Sequence, residues 1–352
     1  MINTLKFAAK AAGSNFADPQ LPYKLTMVLT GRCNNRCKSC NIWQNQNAND
    51  SLIEDIERFF KKSNFFSWIS LTGGEIFLRN DVFSVCKIIK DNVKDVCFLT
   101  FPTNGYLTEK ILADVDRILG LNFNKVVVSV SLDGPLDMHN TLRGVDGSWD
   151  RALKTFCGLK AVKNRRFAVN FGFTISNYNM RSIGKTIESI KAAYPKFSLK
   201  DLHLNLAFNA ERYSNMDNKG ILCTDSDGLI SELTTYQENK KLLDPISVID
   251  YLHVKFLKRY IKSGRTPLPC MSLASSCLVD VDWNVYPCFN FNVKAGNLKE
   301  NDFDLAKLWA SGIRRAVRAR VKAGDCPHCW TPCESFQTIL GNMPRAFFSK
   351  RA

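Results

Sequence analysis

Three cysteines stand within eight residues, Cys33, Cys37 and Cys40 in the run C-N-N-R-C-K-S-C, and the next cysteine is Cys86. Three thiolates on one short loop can each hold one iron of a 4Fe–4S cube and leave the fourth iron without a protein ligand. An open metal position is where a small molecule coordinates and reacts, whereas a closed structural site wants four protein ligands. Arg36 and Lys38 beside the thiols suit an anionic cluster. The spacing therefore points to chemistry at a metal cluster rather than to three unrelated buried thiols.

A second group lies near the other end: Cys326, Cys329 and Cys333 in C-P-H-C-W-T-P-C, with Cys270, Cys277 and Cys288 upstream. The chain has 13 cysteines, an odd number, and they gather in two places, which favours metal binding over disulfides. Other candidates are spread along the chain. Gly73-Gly74-Glu75 lets backbone approach a ligand closely and adds a carboxylate that can accept from an ammonium. Thr103-Asn104-Gly105 reads as a turn or as a polar rim for the sugar or adenine of a cofactor. Ser131 and Arg143 can clamp a carboxylate, the plainer reading of Arg143 being a surface ion pair. His139, His203, His253 and His328 show no ligand spacing and read as packing or hydrogen-bonding groups. Cys86, Cys97, Cys157 and Cys223 read as small buried apolar residues.

These residues need elements to bring them together. Apolar β-rich runs at 23–29, 68–72, 97–101, 125–131, 167–175 and 201–207 alternate with helical patterns at 82–92, 107–119, 149–163 and 181–194. Ser51 with Glu54 reads as a capping box for one more helix, through residue 62. Successive βα units require parallel strands, and each motif follows a strand, so the motifs converge at the C-terminal edge of one α/β sheet. Beyond residue 210 the pattern becomes helical (225–239 and 245–263), then a compact unit at 264–334 with a hairpin over 277–288 and a helix over 305–321. The last ten residues are basic and aromatic and read as loosely ordered.

Of 352 residues 45% are hydrophobic, enough for a substantial core, and the formal net charge is +15. Part of that charge is the run R-R-A-V-R-A-R-V-K from Arg314 to Lys322. It reads as a solvated helix face, or as a docking patch for an acidic electron donor such as a flavodoxin or ferredoxin, an anionic substrate or a membrane surface. The run lacks interleaved aromatics and no zinc-finger or RNP pattern occurs, so no nucleic acid partner is expected. No long uncharged apolar stretch and no secretory h-region is present, and the expected location is the cytoplasm.

On these residues the chain resembles the radical S-adenosylmethionine (SAM) superfamily over 21–335. The resemblance implies that Cys33, Cys37 and Cys40 hold the catalytic cluster. It implies that Gly73, Gly74 and Glu75 bind the methionine amino group, and that Ser131 and Arg143 hold its carboxylate, as in the SPASM/twitch subgroup. It implies a partial (β/α)6 TIM-like barrel with a small C-terminal cysteine-rich auxiliary-cluster domain. The expected division is 1–22 extension, 23–210 barrel, 211–263 helical bridge, 264–335 iron–sulfur domain and 336–352 basic tail. The implied reaction is one-electron cleavage of SAM to methionine and a 5′-deoxyadenosyl radical, which takes a hydrogen atom from substrate. Three departures stand out. Ser39 replaces the usual aromatic, for which Trp43 is a substitute. Trp283 replaces a usual glycine. The C-terminal group is short, so Cys270, Cys288, Cys326 and Cys329 suit one auxiliary cluster, with Cys277 and Cys333 as alternative ligands. With few residues before the first strand, a small anionic substrate is preferred to a peptide or protein. The other classes weighed are a non-catalytic iron–sulfur electron-transfer protein and a zinc-ribbon nucleic-acid module.

Overall fold

Six strands, β1 (Lys24–Thr30), β2 (Trp68–Gly73), β3 (Phe98–Thr103), β4 (Lys125–Ser131), β5 (Phe167–Ile175) and β6 (Leu202–Leu206), lie side by side in chain order, each parallel to the next. The computed structural model describes residues 2–45, 48–242 and 244–348. Helices α2 (Ile53–Lys62), α3 (Val82–Asn92), α4 (Thr108–Gly120), α5 (Leu136–Arg143), α6 (Ser148–Lys160) and α7 (Ile183–Ala193) connect the strands, and α1 (Ile2–Gly13) precedes them. The alternation in β4 and β5 shows why the sheet faces as it does. Val126, Val128 and Val130, with Phe167, Val169, Phe171 and Phe173, are buried, and Phe171 stacks on Phe156 of α6 at 4.0 Å. Burying one such side chain contributes about 1.5–3 kcal/mol, so slipping a strand by one residue would forfeit the whole row. The intervening Ser129, Ser131, Asn170, Gly172 and Thr174 line the opposite, inner face and are half-buried.

The amino-terminal segment is helical and fitted to the sheet. Phe7 of α1 meets Tyr23, Trp68 and Phe98, at the start of β1, β2 and β3, with centroids 5.8, 6.5 and 5.3 Å apart. On the far side, β6 has only β5 as a strand neighbour. The later α-helices are α8 (Ser226–Glu238), α9 (Pro245–Ser263), α10 (Leu305–Trp309), α11 (Gly312–Ala323), α12 (Pro332–Leu340) and α13 (Met343–Phe348), of which α9 and α12 bridge β6 and β1. His253 of α9 bonds Leu204 O of β6 at 3.0 Å and Ser335 Oγ of α12 at 2.8 Å. Lys24 of β1 donates to Gln337 Oε1 of α12 at 2.8 Å. The architecture is a mostly parallel α/β partial barrel whose open side is covered by α9 and α12.

The structure alters four expectations. The hairpin β7 (Ser276–Val279) and β8 (Asn284–Tyr286), with β9 (Gly296–Asn297), is not set apart: β7 pairs parallel to β1 and extends the same nine-stranded sheet. The expected helix at 305–321 is broken into α10 and α11, because Ser311 caps the second, accepting from Arg314 N–H at 3.2 Å. Ser51 does not cap α2; its backbone and hydroxyl instead bond Leu29 O and Val28 O at the end of β1. The boundary expected at residue 336 falls inside α12, whose Gln337 is fully buried, and of the last ten residues, read as loosely ordered, 343–348 form α13. Residues 349–352 lie outside the described residues. Among the described residues, no helix is long and apolar enough to cross a membrane.

Candidate functional site

β1 ends at Thr30, and the loop that follows carries Cys33, Cys37 and Cys40. The backbone of two other elements grips it. Gly74 N–H donates to Thr30 O at 2.9 Å and Glu75 N–H to Arg32 O at 2.8 Å. From the end of α5, Arg143 O accepts Arg36 N–H and Leu142 O accepts Lys38 N–H, both at 2.9 Å. Gly73, at φ 144°, and Gly74 admit no Cβ without a collision with the Thr30 or Arg32 carbonyl. The glycines were expected to let backbone approach a ligand; here they let the exit of β2 press against the cysteine loop.

Glu75 is the bracket between two strand ends. It is buried, and its carboxylate accepts from Phe77 N–H (3.2 Å), Thr103 Oγ1–H (3.0 Å) and Asn104 N–H (2.6 Å). Burial pushes its carboxyl up to about 7, against the pull of the Asn104, Phe77 and Thr103 donors. Asn104 in turn donates to Asn34 Oδ1 in the cysteine loop at 2.6 Å. Thr103, Asn104 and Glu75 thus form one network with the loop. A carboxylate offers about four lone-pair sites, which leaves Glu75 room for a ligand donor.

Half-buried Arg143 pairs with buried Asp133 at 2.6 Å, and its Nη1 is 3.7 Å from Cys37 Sγ. Burial works against its charge, but Asp133 and Cys37 outweigh that, so the guanidinium stays charged beside the thiols. Asp133 was not singled out in the sequence; it also accepts Thr174 N–H at 2.8 Å and ties β4 to β5. Ser131, the last residue of β4, faces inward and bonds to none of these. Burial pushes the Cys33 thiol up to about 11 and Cys40 to about 12. Thiols held so high ionise only around a bound cation. Asn35, between the first two cysteines, is buried with both side-chain polar atoms unpartnered. Three thiols, a fixed guanidinium and an orphaned amide fit an iron–sulfur cluster carrying a polar ligand.

The inner wall carries His203, read from the sequence only as a packing or hydrogen-bonding group. Ser131 lies opposite Gly172, and Gly172 opposite His203 of β6, so Ser131 and His203 share one level about 10 Å apart, two strand spacings. His203 Nδ1 is held by Asp250 of α9 at 2.6 Å, and Asp250 also pairs with buried Lys240. Burial would raise the Asp250 carboxyl, but His203 and Lys240 hold it far below its ordinary range. Asn170 Oδ1 and Asn205 Oδ1, on the same wall, are buried without partners. The alternation L-H-L-N-L in β6 was the available signal.

In the C-terminal region Cys270, Cys288, Cys326 and Cys329 line one small cavity together with Pro287, Phe291 and Val321. The alternatives differ. Cys277 sits on β7 next to Leu25 in the core, and Cys333 opens α12, its carbonyl accepting from Lys24. Among the described residues no three His, Cys, Asp or Glu side chains converge closely enough to hold a single metal ion; thiols on separate irons of a cluster stand wider than that. Trp283, at the position where the resemblance expects glycine, has φ 68°. The left-handed backbone costs about 1–2 kcal/mol without glycine. Trp283 offsets it by burying its ring against Phe303 (4.9 Å) and Phe59 (5.5 Å). Cys86 and Cys97 are buried, whereas Cys157 and Cys223 are only half-buried.

Comparison with known proteins bears on both regions. Residues 27–190 match the model of the radical SAM superfamily, and residues 270–334 match the SPASM iron–sulfur cluster-binding domain. The chain is 24% identical over 338 residues to Fe-coproporphyrin III synthase of Methanosarcina barkeri, covering 86% of this chain and 79% of that protein. It is 27% identical over 186 residues to the antilisterial bacteriocin subtilosin biosynthesis protein AlbA of Bacillus subtilis, covering 51% of this chain and 39% of that one. The solved structure of native anSMEcpe with bound AdoMet superposes with a TM-score of 0.57 at 16% identity, covering 92% of this chain and 98% of that one.

Proposed function

Because the chain belongs to the radical SAM superfamily and carries a SPASM iron–sulfur domain, we propose that its Cys33–Cys37–Cys40 loop holds the catalytic cluster and that the enzyme takes a hydrogen atom from a small, carboxylate-bearing substrate. The supporting observation is the convergence of the cysteine loop, the Glu75–Thr103–Asn104 network and the Arg143–Asp133 pair at one edge of the sheet. The cofactors of such an enzyme are a SAM-binding 4Fe–4S cluster, SAM and at least one auxiliary 4Fe–4S cluster. When bound, the first two supply reductive cleavage of the sulfonium and hydrogen-atom abstraction.

The residues of the chain have distinct tasks in this reading. Arg143 stays charged beside Cys37 and offsets the negative charge of the thiolates. Glu75 accepts from the SAM ammonium while keeping the ends of β2 and β3 in register. Ser131, with Gly73, Gly74, Thr103 and Asn104, would line the rest of the SAM site, and Arg143, already paired with Asp133, would supply charge for the carboxylate. The rigid backbone grip on the loop fixes the reacting atoms, which is where most catalytic advantage of such positioning arises. Cys270, Cys288, Cys326 and Cys329 hold the auxiliary cluster. The catalytic part is 23–210, and the auxiliary part runs from 264 through α12.

Net charge of +15 and likeness to a synthase named for an iron coproporphyrin over most of both chains favour an anionic small molecule, a tetrapyrrole carboxylic acid first. The shorter likeness to AlbA supports a second reading, a peptide or protein maturase. The exposed basic side chains of α11, Arg315 and Lys322 among them, suit docking of an acidic one-electron donor. The test is anaerobic reconstitution with iron and sulfide, then SAM and dithionite. The reading expects 5′-deoxyadenosine, with deuterium acquired from a labelled tetrapyrrole carboxylic acid. No 5′-deoxyadenosine would refute the class; deuterium only from a peptide would refute the substrate.

A further inference from the structure

One short segment touches both cysteine-bearing regions. Residues 209–218 follow β6. Toward the first region, Tyr213 O accepts Asn41 N–H at 2.7 Å and Ser214 O accepts Asn41 Nδ2–H at 3.0 Å. Asn215 donates to Ser39 O and Asn218 to Lys38 O, each at 2.7 Å. These contacts fall on the residues that flank Cys37 and Cys40. Toward the second region, the Tyr213 ring stacks on Phe289, the neighbour of Cys288, at 5.5 Å and 17°. Arg212 lies 3.5 Å from Asp280, covers the Tyr286 ring at 3.5 Å and donates to Asn292 at 3.0 Å. Asn215 is buried and locks the segment from within, accepting Ala210 N–H at 2.8 Å.

A tether alone would need only the polar bonds. The aromatic ring between the two regions is the unexplained part.

We propose that Tyr213 is the electron bridge between the two clusters, along the path Cys40–Asn41 N–H···O=C–Tyr213 ring–Phe289–Cys288. The proposal rests on the ligand assignments made under the proposed function. The electrons balance as follows. An external low-potential donor reduces the SAM-binding cluster once, and that electron breaks the SAM carbon–sulfur bond. The substrate gives one hydrogen atom to the adenosyl carbon, then releases one proton to solvent and one electron to the auxiliary cluster. That electron returns through the bridge and restores the reduced SAM-binding cluster. Substrate is oxidised by two electrons, SAM is reduced to methionine and 5′-deoxyadenosine, and Tyr213 itself is never oxidised.

The test uses the full chain with both clusters reconstituted, comparing wild type, Tyr213→Phe, Tyr213→Leu and Phe289→Leu. A deazaflavin flash injects electrons, and rapid-freeze EPR follows their redistribution between the clusters, with iron content measured on the same samples. Tyr213→Phe keeps the ring and the backbone bond and should match wild type. Tyr213→Leu should slow redistribution by roughly tenfold or more, the scale of losses on removing groups around a metal site, at unchanged iron content. Redistribution at the wild-type rate in Tyr213→Leu with both clusters intact overturns the bridge. Should Tyr213→Leu lose iron, Phe289→Leu decides by the same criterion. A single cluster signal in wild type would instead refute the ligand assignments, and the bridge with them.

Discussion

The two cysteine regions are built on opposite plans. The first presents three thiols on a loop held in place by the backbone of other elements, β2 on one flank and α5 on the other, with a charged Arg143 alongside. The second gathers four thiols around a cavity walled by Pro287, Phe291 and Val321, with Arg318 of α11 clamping the Cys270 and Ser272 carbonyls. A loop gripped by backbone keeps its shape while leaving one face free for a ligand. A thiol-lined apolar cavity completes its own ligand set and suits electron transfer or bracing. On the proposed assignment, three ligands against four is the difference between a reacting and a closed metal.

That contrast breaks most visibly by removing thiols. Replacing Cys33, Cys37 and Cys40 together with alanine should abolish SAM cleavage while the C-terminal region keeps its iron. Persistent 5′-deoxyadenosine would sink the assignment. The converse variant, C326A/C329A, should lose the auxiliary iron yet still cleave SAM in an uncoupled reaction; loss of cleavage alongside an intact first cluster would show that the regions are not separable in function. Iron analysis and product chromatography read both.

Smaller effects sharpen the structural half of the comparison. Trp283→Ala should destabilise the protein by roughly 3–5 kcal/mol in urea denaturation, the range for truncating a buried ring. Trp283→Gly should be the milder change by about 1 kcal/mol, the reverse of the usual order, because glycine relieves the left-handed backbone. Equal losses would mean that the turn stores no strain.

The smallest effect concerns the α9–α12 seam. Burial lowers His253 to about 4, with Asp250, His203 and Lys240 the charged neighbours. The unfolded chain takes up this proton near pH ~6.5 and the folded one only near 4, so between them the unfolded state binds more protons and stability rises with pH. The contribution, about 3 kcal/mol, is present above pH ~6.5 and lost as pH falls toward 4. Urea midpoints at pH 7 and 5 should separate more in wild type than in His253→Asn; identical separations would contradict this.

The fold was legible because its signals are local and repeated. Lys125–Ser131 and Phe167–Ile175 alternate with period two, and a run of βα units permits little besides a parallel sheet. What stayed hidden depends on tertiary partners. The parallel pairing of Ser276–Val279 with β1 joins residues some 250 apart, and nothing in S-C-L-V names its neighbour. Ser51 carries the pattern of a cap but anneals to β1 instead. For the site, cysteine spacing and the residues following strand ends were readable. Asp133 as the partner of Arg143, and His203 on the inner wall, needed Thr174 and Asp250 in view, which long-range packing alone supplies.

The central claim, a three-thiol cluster open to SAM, is tested most directly in the C326A/C329A protein, where one cluster remains. Electron–nuclear double resonance on the reduced cluster, with SAM labelled by 17O in its carboxylate and 15N in its amino group, should show hyperfine coupling to both labels. An unchanged spectrum with no coupling to either label would contradict it.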